Sequence, residues 1–241
     1  MRALCSIAVL ALAASCASVS GAAPRGGPVP QGYRLVRDEP FAPPAALWRS
    51  IPSAWRVDER GALELVEPEG GESYAPPHRS PLRLALLPEF TVGSFVLELE
   101  MQQTGREYGH RDLCLVFGFR SPVAYYYAHL ATTPDEHACN VFLVDDAPRR
   151  RIADVPEQGV EWGTDVWHAV RLERDVEVGT IRVFFDDMRT PVLETLDRTH
   201  GRGHLGFGSF DDTGAFRSVR VWAPHPGPAL LAGDPFAGPL R

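Results

Sequence analysis

The 241-residue chain contains no lysine, so all 24 of its basic side chains are arginine. That absence excludes Schiff-base and pyridoxal chemistry, a phosphate loop ending in Gly-Lys and any lysine general base, because each needs an amine at a defined place. Asparagine occurs once, at Asn140, and isoleucine four times, the bias expected of a GC-rich genome that replaces AT-rich codons. Positive charge is also in deficit: the formal net charge is -7 and the longest basic run is Arg149, Arg150 and Arg151. Without an arginine stripe to neutralise phosphates, nucleic acid is excluded as a partner, and the three arginines read as a solvated strand end. Nucleophile and cofactor signatures are missing as well. No Gly-x-Ser-x-Gly occurs, no dinucleotide fingerprint opens a helix, and no cysteine sits in an elbow or beside a cationic run.

What is present begins with Arg2 and the apolar run Ala3 to Ala14, followed by small residues. This stretch is too short to span a bilayer and reads as an export signal over residues 1–23, with cleavage near Ala17 or Ala22. Cys16, in Leu12-Ala13-Ala14-Ser15-Cys16, resembles a bacterial lipoprotein signal, although Ala13 stands where a larger aliphatic is usual. The expected location is therefore extracytoplasmic: periplasmic, secreted, or held to the envelope through a Cys16 lipid, which would be the chain's one membrane contact. Residues 24–31 form a Pro/Gly linker, 32–223 a single domain, and 224–241 a flexible tail with little to bury. Two cysteines remain after the signal, Cys114 and Cys139. The strand assignment below separates them by two inter-strand spacings of about 4.8 Å each. That exceeds the Cα limit of about 7 Å, so no disulfide is expected.

No window of the mature chain keeps a 3.6-residue apolar period, whereas alternation of period two recurs. Examples are Phe95, Leu97, Leu99 and Met101; Leu113, Leu115, Phe117 and Phe119; and Ile181, Val183 and Phe185. Turn signals such as Thr104-Gly105, Ser121-Pro122 and Thr213-Gly214 separate the runs. So many strands with one apolar face each require two sheets packed face to face, and the expected fold is an all-β, two-sheet antiparallel jelly-roll sandwich.

From Trp55 to Trp222 the chain resembles the concanavalin A-like lectin and glucanase superfamily, most closely the 3-keto-disaccharide hydrolase domains. The resemblance is carried by Trp55-Arg56-Val57, Gly61-Ala62-Leu63-Glu64-Leu65, the strand from Phe95 to Glu100, Trp167 to Arg174, Gly179 to Asp187, and Gly203 to Phe210 leading into Phe216 to Val221. These are strand and turn features, so they imply architecture strongly and chemistry weakly. Glucanases of the superfamily carry alternating acids on one strand. Here the pattern reduces to Glu98, Glu100 and Gln102, which share the face opposite Leu97 and Leu99 and serve equally as a solvated outer face. Calcium is common in the superfamily, and Asp211 or Asp212 would supply oxygens for it. No cofactor is otherwise implied.

Three of the six tyrosines are consecutive, in Tyr125-Tyr126-Tyr127-Ala128-His129-Leu130. A turn at Ser121-Pro122 that pairs Ser121 with Ala124 sets Phe119 opposite Tyr126 on the core face. On the other face it sets Arg120 opposite Tyr125, Gly118 opposite Tyr127 and Val116 opposite His129. Asp112 and Asn140 share that second face. An aromatic ring beside a gap, with Arg, His and Asn near it, is a shape in which a sugar stacks its C–H face and bonds its hydroxyls. Arg120, Tyr125, Tyr127, His129 and Asn140 are therefore the candidate ligand-binding residues, each of which has an ordinary strand role as its alternative. His110, Asp112, His129 and His137 gather around the same hairpin, but no pair has the tight spacing of a zinc motif, and no metal ligand set is assigned.

The expected function is an exported carbohydrate-binding sandwich. The alternative that the resemblance implies is a hydrolase or lyase of 3-keto-glycosides, with His129 as general base or acid and Asp112 or Glu98 as its partner. A second alternative is an envelope scaffold or interaction protein.

Overall fold

The computed structural model describes residues 27–38, 40–42 and 46–236. The expected export signal and Cys16 lie outside the described residues. In chain order the strands are β1 (Arg34–Asp38), β2 (Trp48–Arg49), β3 (Trp55–Val57), β4 (Leu63–Leu65), β5 (Arg83–Leu86), β6 (Phe95–Gln103), β7 (Asp112–Ser121) and β8 (Ala124–Ala131). They continue as β9 (Asn140–Asp145), β10 (Arg150–Arg151), β11 (Trp167–Arg174), β12 (Thr180–Phe185), β13 (Leu193–Leu196), β14 (His204–Ser209) and β15 (Gly214–Ala223). The chain is all-β. One sheet runs β13-β12-β11-β6-β15-β4-β3, with β1 also on β15, and the other runs β10-β9-β8-β7-β14-β5-β2. Every pairing between these strands is antiparallel, and the two sheets form the jelly-roll sandwich that the alternation required.

The inner faces interdigitate into one core. Leu97, Leu99, Met101, Val170, Leu172 and Val183 come from the first sheet, and Leu113, Leu115, Phe117, Tyr126, Ala128 and Phe207 from the second. The far face of the second sheet is also apolar. Leu84, Leu86, Cys114, Val116, Phe119, Tyr125, Tyr127, Phe142 and Val144 form a second buried cluster, covered by Trp48, Phe210, Leu231 and Phe236. The segment after β15, whose composition reads as a tail, is laid along the molecule as far as residue 236. Gly227 exchanges two backbone hydrogen bonds with Thr91 (2.8 and 2.9 Å). Phe236 sets its ring against Tyr74 (5.3 Å) and Phe119 (6.0 Å). Leu231 and Phe236 dock it by packing their apolar side chains against that cluster.

The β7–β8 hairpin corrects the expected register. Ser121 does pair with Ala124, but a bulge follows, and beyond it Phe117 faces Tyr126, Val116 faces Tyr127 and Cys114 faces His129. Two residues of slip are absorbed at Gly118, whose φ of +59° suits a glycine. Gly203 lies so close above the bulge that a Cβ on it would stand 2.2 Å from the Gly118 carbonyl carbon. A slip of two keeps every β8 side chain on its face, so Tyr126 points to the core, and Tyr125, Tyr127 and His129 point the other way. Phe119 does change sides. Gly118 opens no gap beside Tyr127, and Arg120 is exposed in the bulge rather than paired with Tyr125.

Cys114 and Cys139 are both free and buried. They lie on β7 and just before β9 with β8 between them, one in the second cluster and the other in the core.

Candidate functional site

Asp112 opens β7, and its even-numbered neighbours Cys114 and Val116 share its side of the sheet. His129 stands across from Cys114 on β8. Three connections converge over this corner. The loop before β9 brings Asp135 and His137, the turn after β14 brings Phe210 and Asp211, and the turn before β10 brings Arg149. With Tyr108 and Arg79 they enclose a cleft of about 340 Å³ that has Asp112 and His129 in its lining. A hollow of about 540 Å³ adjoins it across Arg79, Phe210 and Asp211, and another of about 360 Å³ adjoins it across Tyr108 and Asp211.

Beneath the cleft lies a buried polar network. Ser209 Oγ donates to Asp112 Oδ1 (2.6 Å), the Asp112 amide donates to Asp212 Oδ2 (2.8 Å), and Tyr108 donates its hydroxyl to the same oxygen (2.8 Å). His129 Nδ1 lies 3.1 Å from the His137 carbonyl, and its Nε2 lies against Asp112 Oδ2 as an ion pair. That second contact is close but off the line of a hydrogen bond, so Nε2 has no aligned partner. Cys114 Sγ sits 3.5 Å from Asp112 Oδ2. Burial works to raise the Asp112 carboxyl, but the neighbouring His129 charge and the hydrogen bond from Ser209 outweigh it and hold the group below its ordinary value. Asp212 is pushed up to about 7, first by burial and then by the negative charge of Asp112. Burial and the same charge raise the Cys114 thiol well above its ordinary value.

Arg149 forms the inner wall. Its guanidinium stacks between Phe142 (4.6 Å) and Phe210 (4.7 Å), donates to Tyr127 Oη (2.7 Å) and donates to the His137 carbonyl (3.1 Å). Arg79 covers Phe210 from the solvent side at 5.7 Å.

The residues singled out in the sequence divide accordingly. Asp112, His129, His110, His137 and Asp211 are brought together at the cleft. Tyr125 and Tyr127 share its side of the sheet but are 0% exposed and are not part of its lining, with Tyr127 stacked on Phe142 at 5.1 Å. Arg120 is outside it. Asn140 is buried and spends its amide on the chain beyond β10, donating to the carbonyls of Ala153 and Asp154 and accepting from the Ala153 amide, each at 3.1 Å. Glu98 is in the other sheet, 3% exposed rather than solvated, and clamped by Arg171 (2.6 Å) and Arg220 (3.2 Å). It cannot partner His129.

Arg79, Tyr108, Asp135, Arg149, Ser209 and Phe210 had no local signal as site residues. Calcium fits poorly, because it takes about six to eight oxygen ligands. Asp212 already serves Tyr108 and the Asp112 amide, and the remaining donors at the corner include nitrogen and sulfur.

Two antiparallel sheets in this strand order make a jelly-roll sandwich of the kind found in lectins. Solved structures share it at low sequence identity. The carbohydrate-binding module CBM66 from Bacillus subtilis is 13% identical, with a TM-score of 0.53 over 72% of this chain and 92% of that one. A protein of unknown function with a galectin-like fold, also from Bacillus subtilis, is 13% identical, with a TM-score of 0.52 over 80% of this chain and 100% of its own. Winged bean acidic lectin complexed with methyl-alpha-D-galactose is 11% identical, with a TM-score of 0.52 over 81% and 98%. No protein-family model and no curated protein sequence matches the chain.

Proposed function

We propose that the protein is an exported carbohydrate-binding domain that takes a glycan in the cleft over Asp112 and His129. The observation that carries this reading is the cleft's mixed lining. Phe210 and Tyr108 supply apolar walls, while Arg79, His110, Asp135 and Asp211 supply planar or charged groups for hydroxyls. The hollows on either side extend it into a groove with room for more than one sugar unit. A carbohydrate-binding module and a galactoside-bound lectin of the same fold support the reading. Residues 1–23 would deliver the domain outside the cytoplasm, with a Cys16 lipid as its membrane contact. A glycan array followed by calorimetry tests the proposal. Binding should weaken at least tenfold in Arg79→Ala and Phe210→Ala. Absence of any bound glycan, or affinity indifferent to both substitutions, overturns it.

One observation favours the hydrolase or lyase reading for 3-keto-glycosides. Asp112 and Asp212 are adjacent carboxyls driven in opposite directions, so one holds a proton near neutrality and the other does not, a pattern used for acid and base roles. The acid in this reading is Asp212, which lines the adjoining hollow, since His129 turns both ring nitrogens inward. Mass spectrometry of oxidised and unmodified disaccharides incubated with the protein decides it. No released product, with or without added divalent metal, refutes it.

A further inference from the structure

Asp112, Cys114 and His129 form a constellation that glycan recognition does not use. Their ligand atoms all lie within 4.8 Å of one another, and the three residues are 1%, 0% and 5% exposed. A backbone carbonyl only accepts, so the contact from His129 Nδ1 to the His137 oxygen places a proton on Nδ1 and leaves the lone pair of the neutral ring on Nε2. That nitrogen, buried and without an aligned partner, faces Asp112 Oδ2, with the Cys114 sulfur beside them. Once their protons are displaced, the three side chains offer one nitrogen, one sulfur and one oxygen to a single cation.

We propose that these three side chains bind one divalent transition-metal ion of the zinc type at the floor of the cleft. Zinc bonds of about 2.0–2.3 Å put tetrahedral ligand atoms about 3.3–3.8 Å apart; Cys114 Sγ already lies 3.5 Å from Asp112 Oδ2, while the closer His129–Asp112 pair parts to admit the ion. Strand geometry supplies the constellation: residues i and i+2 of β7 share a face, and the third ligand is the register partner of Cys114 on β8. The outer supports that a metal site needs are present, since Ser209 fixes the other Asp112 oxygen and the His137 carbonyl fixes the imidazole. Sulfur and nitrogen in the set select a zinc-like ion over calcium or magnesium. Three protein ligands leave a fourth position, and two of the three, Asp112 and His129, line the cleft.

The site stands or falls independently of the glycan reading, because its test uses metal alone. The full chain, stripped with a chelator, is titrated with Co(II) and then with Zn(II). One Co(II) per chain is expected, with a thiolate charge-transfer band in the near ultraviolet and the intense visible bands of four-coordinate cobalt, both erased by Zn(II). Cys114→Ser should remove the thiolate band and weaken Co(II) binding at least tenfold, and His129→Gln should weaken it comparably. The wild-type spectrum is itself decisive, so a variant that fails to fold does not rescue the proposal. Weak six-coordinate cobalt bands without thiolate character overturn it. So does binding lost in a His110→Gln/His137→Gln double variant but kept in Cys114→Ser, and so does the absence of stoichiometric binding.

Discussion

Replacing the only asparagine separates a structural from a recognition role at the position where the sequence made both readings available. Asn140 is fully buried, and its side-chain amide makes three hydrogen bonds of 3.1 Å to the backbone at Ala153 and Asp154. Asn140→Ala removes all three and strands an amide and two carbonyls in the interior. At about 1 kcal/mol for each bond, with a further penalty for groups left unpaired, the loss is about 3–4 kcal/mol. For a domain of this size that corresponds to a fall in Tm of roughly 6–16 °C. Asn140→Asp keeps the shape but turns an acceptor toward two carbonyl oxygens, so it should destabilise at least as much as alanine. Thermal unfolding followed by circular dichroism measures the loss, and calorimetry below the transition measures ligand affinity. An Asn140→Ala protein that melts within about 2 °C of wild type but no longer binds glycan would refute the structural assignment.

The remaining predictions concern the cleft and its cover. The raised Asp212 pKa means that the unfolded chain ionises this carboxyl more readily than the folded one, so its contribution to stability declines as pH rises from about 4 to about 7. Asp212→Asn should therefore gain in Tm relative to wild type across that interval, and parallel melting curves would contradict it. Asp112 acts in the opposite sense, its stabilisation fading as pH falls through its lowered folded value. Tyr127→Phe removes the hydroxyl that anchors Arg149, at a cost of about 1.5–3 kcal/mol for a hydrogen bond to a charged group, and should weaken glycan binding without altering the fold. Equal affinity in the two proteins would show that Arg149 needs no anchor. Phe236→Ala should increase binding of a hydrophobic dye by uncovering Phe119 and Tyr74, and unchanged fluorescence would count against the docked segment.

The sandwich was legible because alternation of period two survives wherever one face meets the core, as in Phe95, Leu97, Leu99 and Met101. The second apolar face was also written in the sequence. Residues 113–119 run without a charge, as strands buried on both sides do, but counting one apolar face per strand missed it. The bulge at Gly118 was invisible because it packs against Gly203, which reaches it from the distant segment just before β14. Even so, the slip was even-numbered, so Tyr125, Tyr127 and His129 were assigned to the right side of the sheet. Ser209 and Asp212 lie about a hundred positions from Asp112, too far for any local spacing to announce them. The run Arg149 to Arg151 illustrates the same limit. Two of its members are exposed in β10, and the first is inserted between two phenylalanines that only the folded chain brings together.

The docked segment 224–236 also bears on the order of events during synthesis. Every strand of the second sheet precedes it in the chain, so the surface made by Val116, Phe119, Tyr125 and Tyr127 can assemble before its roof exists. That surface waits for its cover until the end of the nascent chain emerges, and it is where a chaperone would find a long-lived handhold.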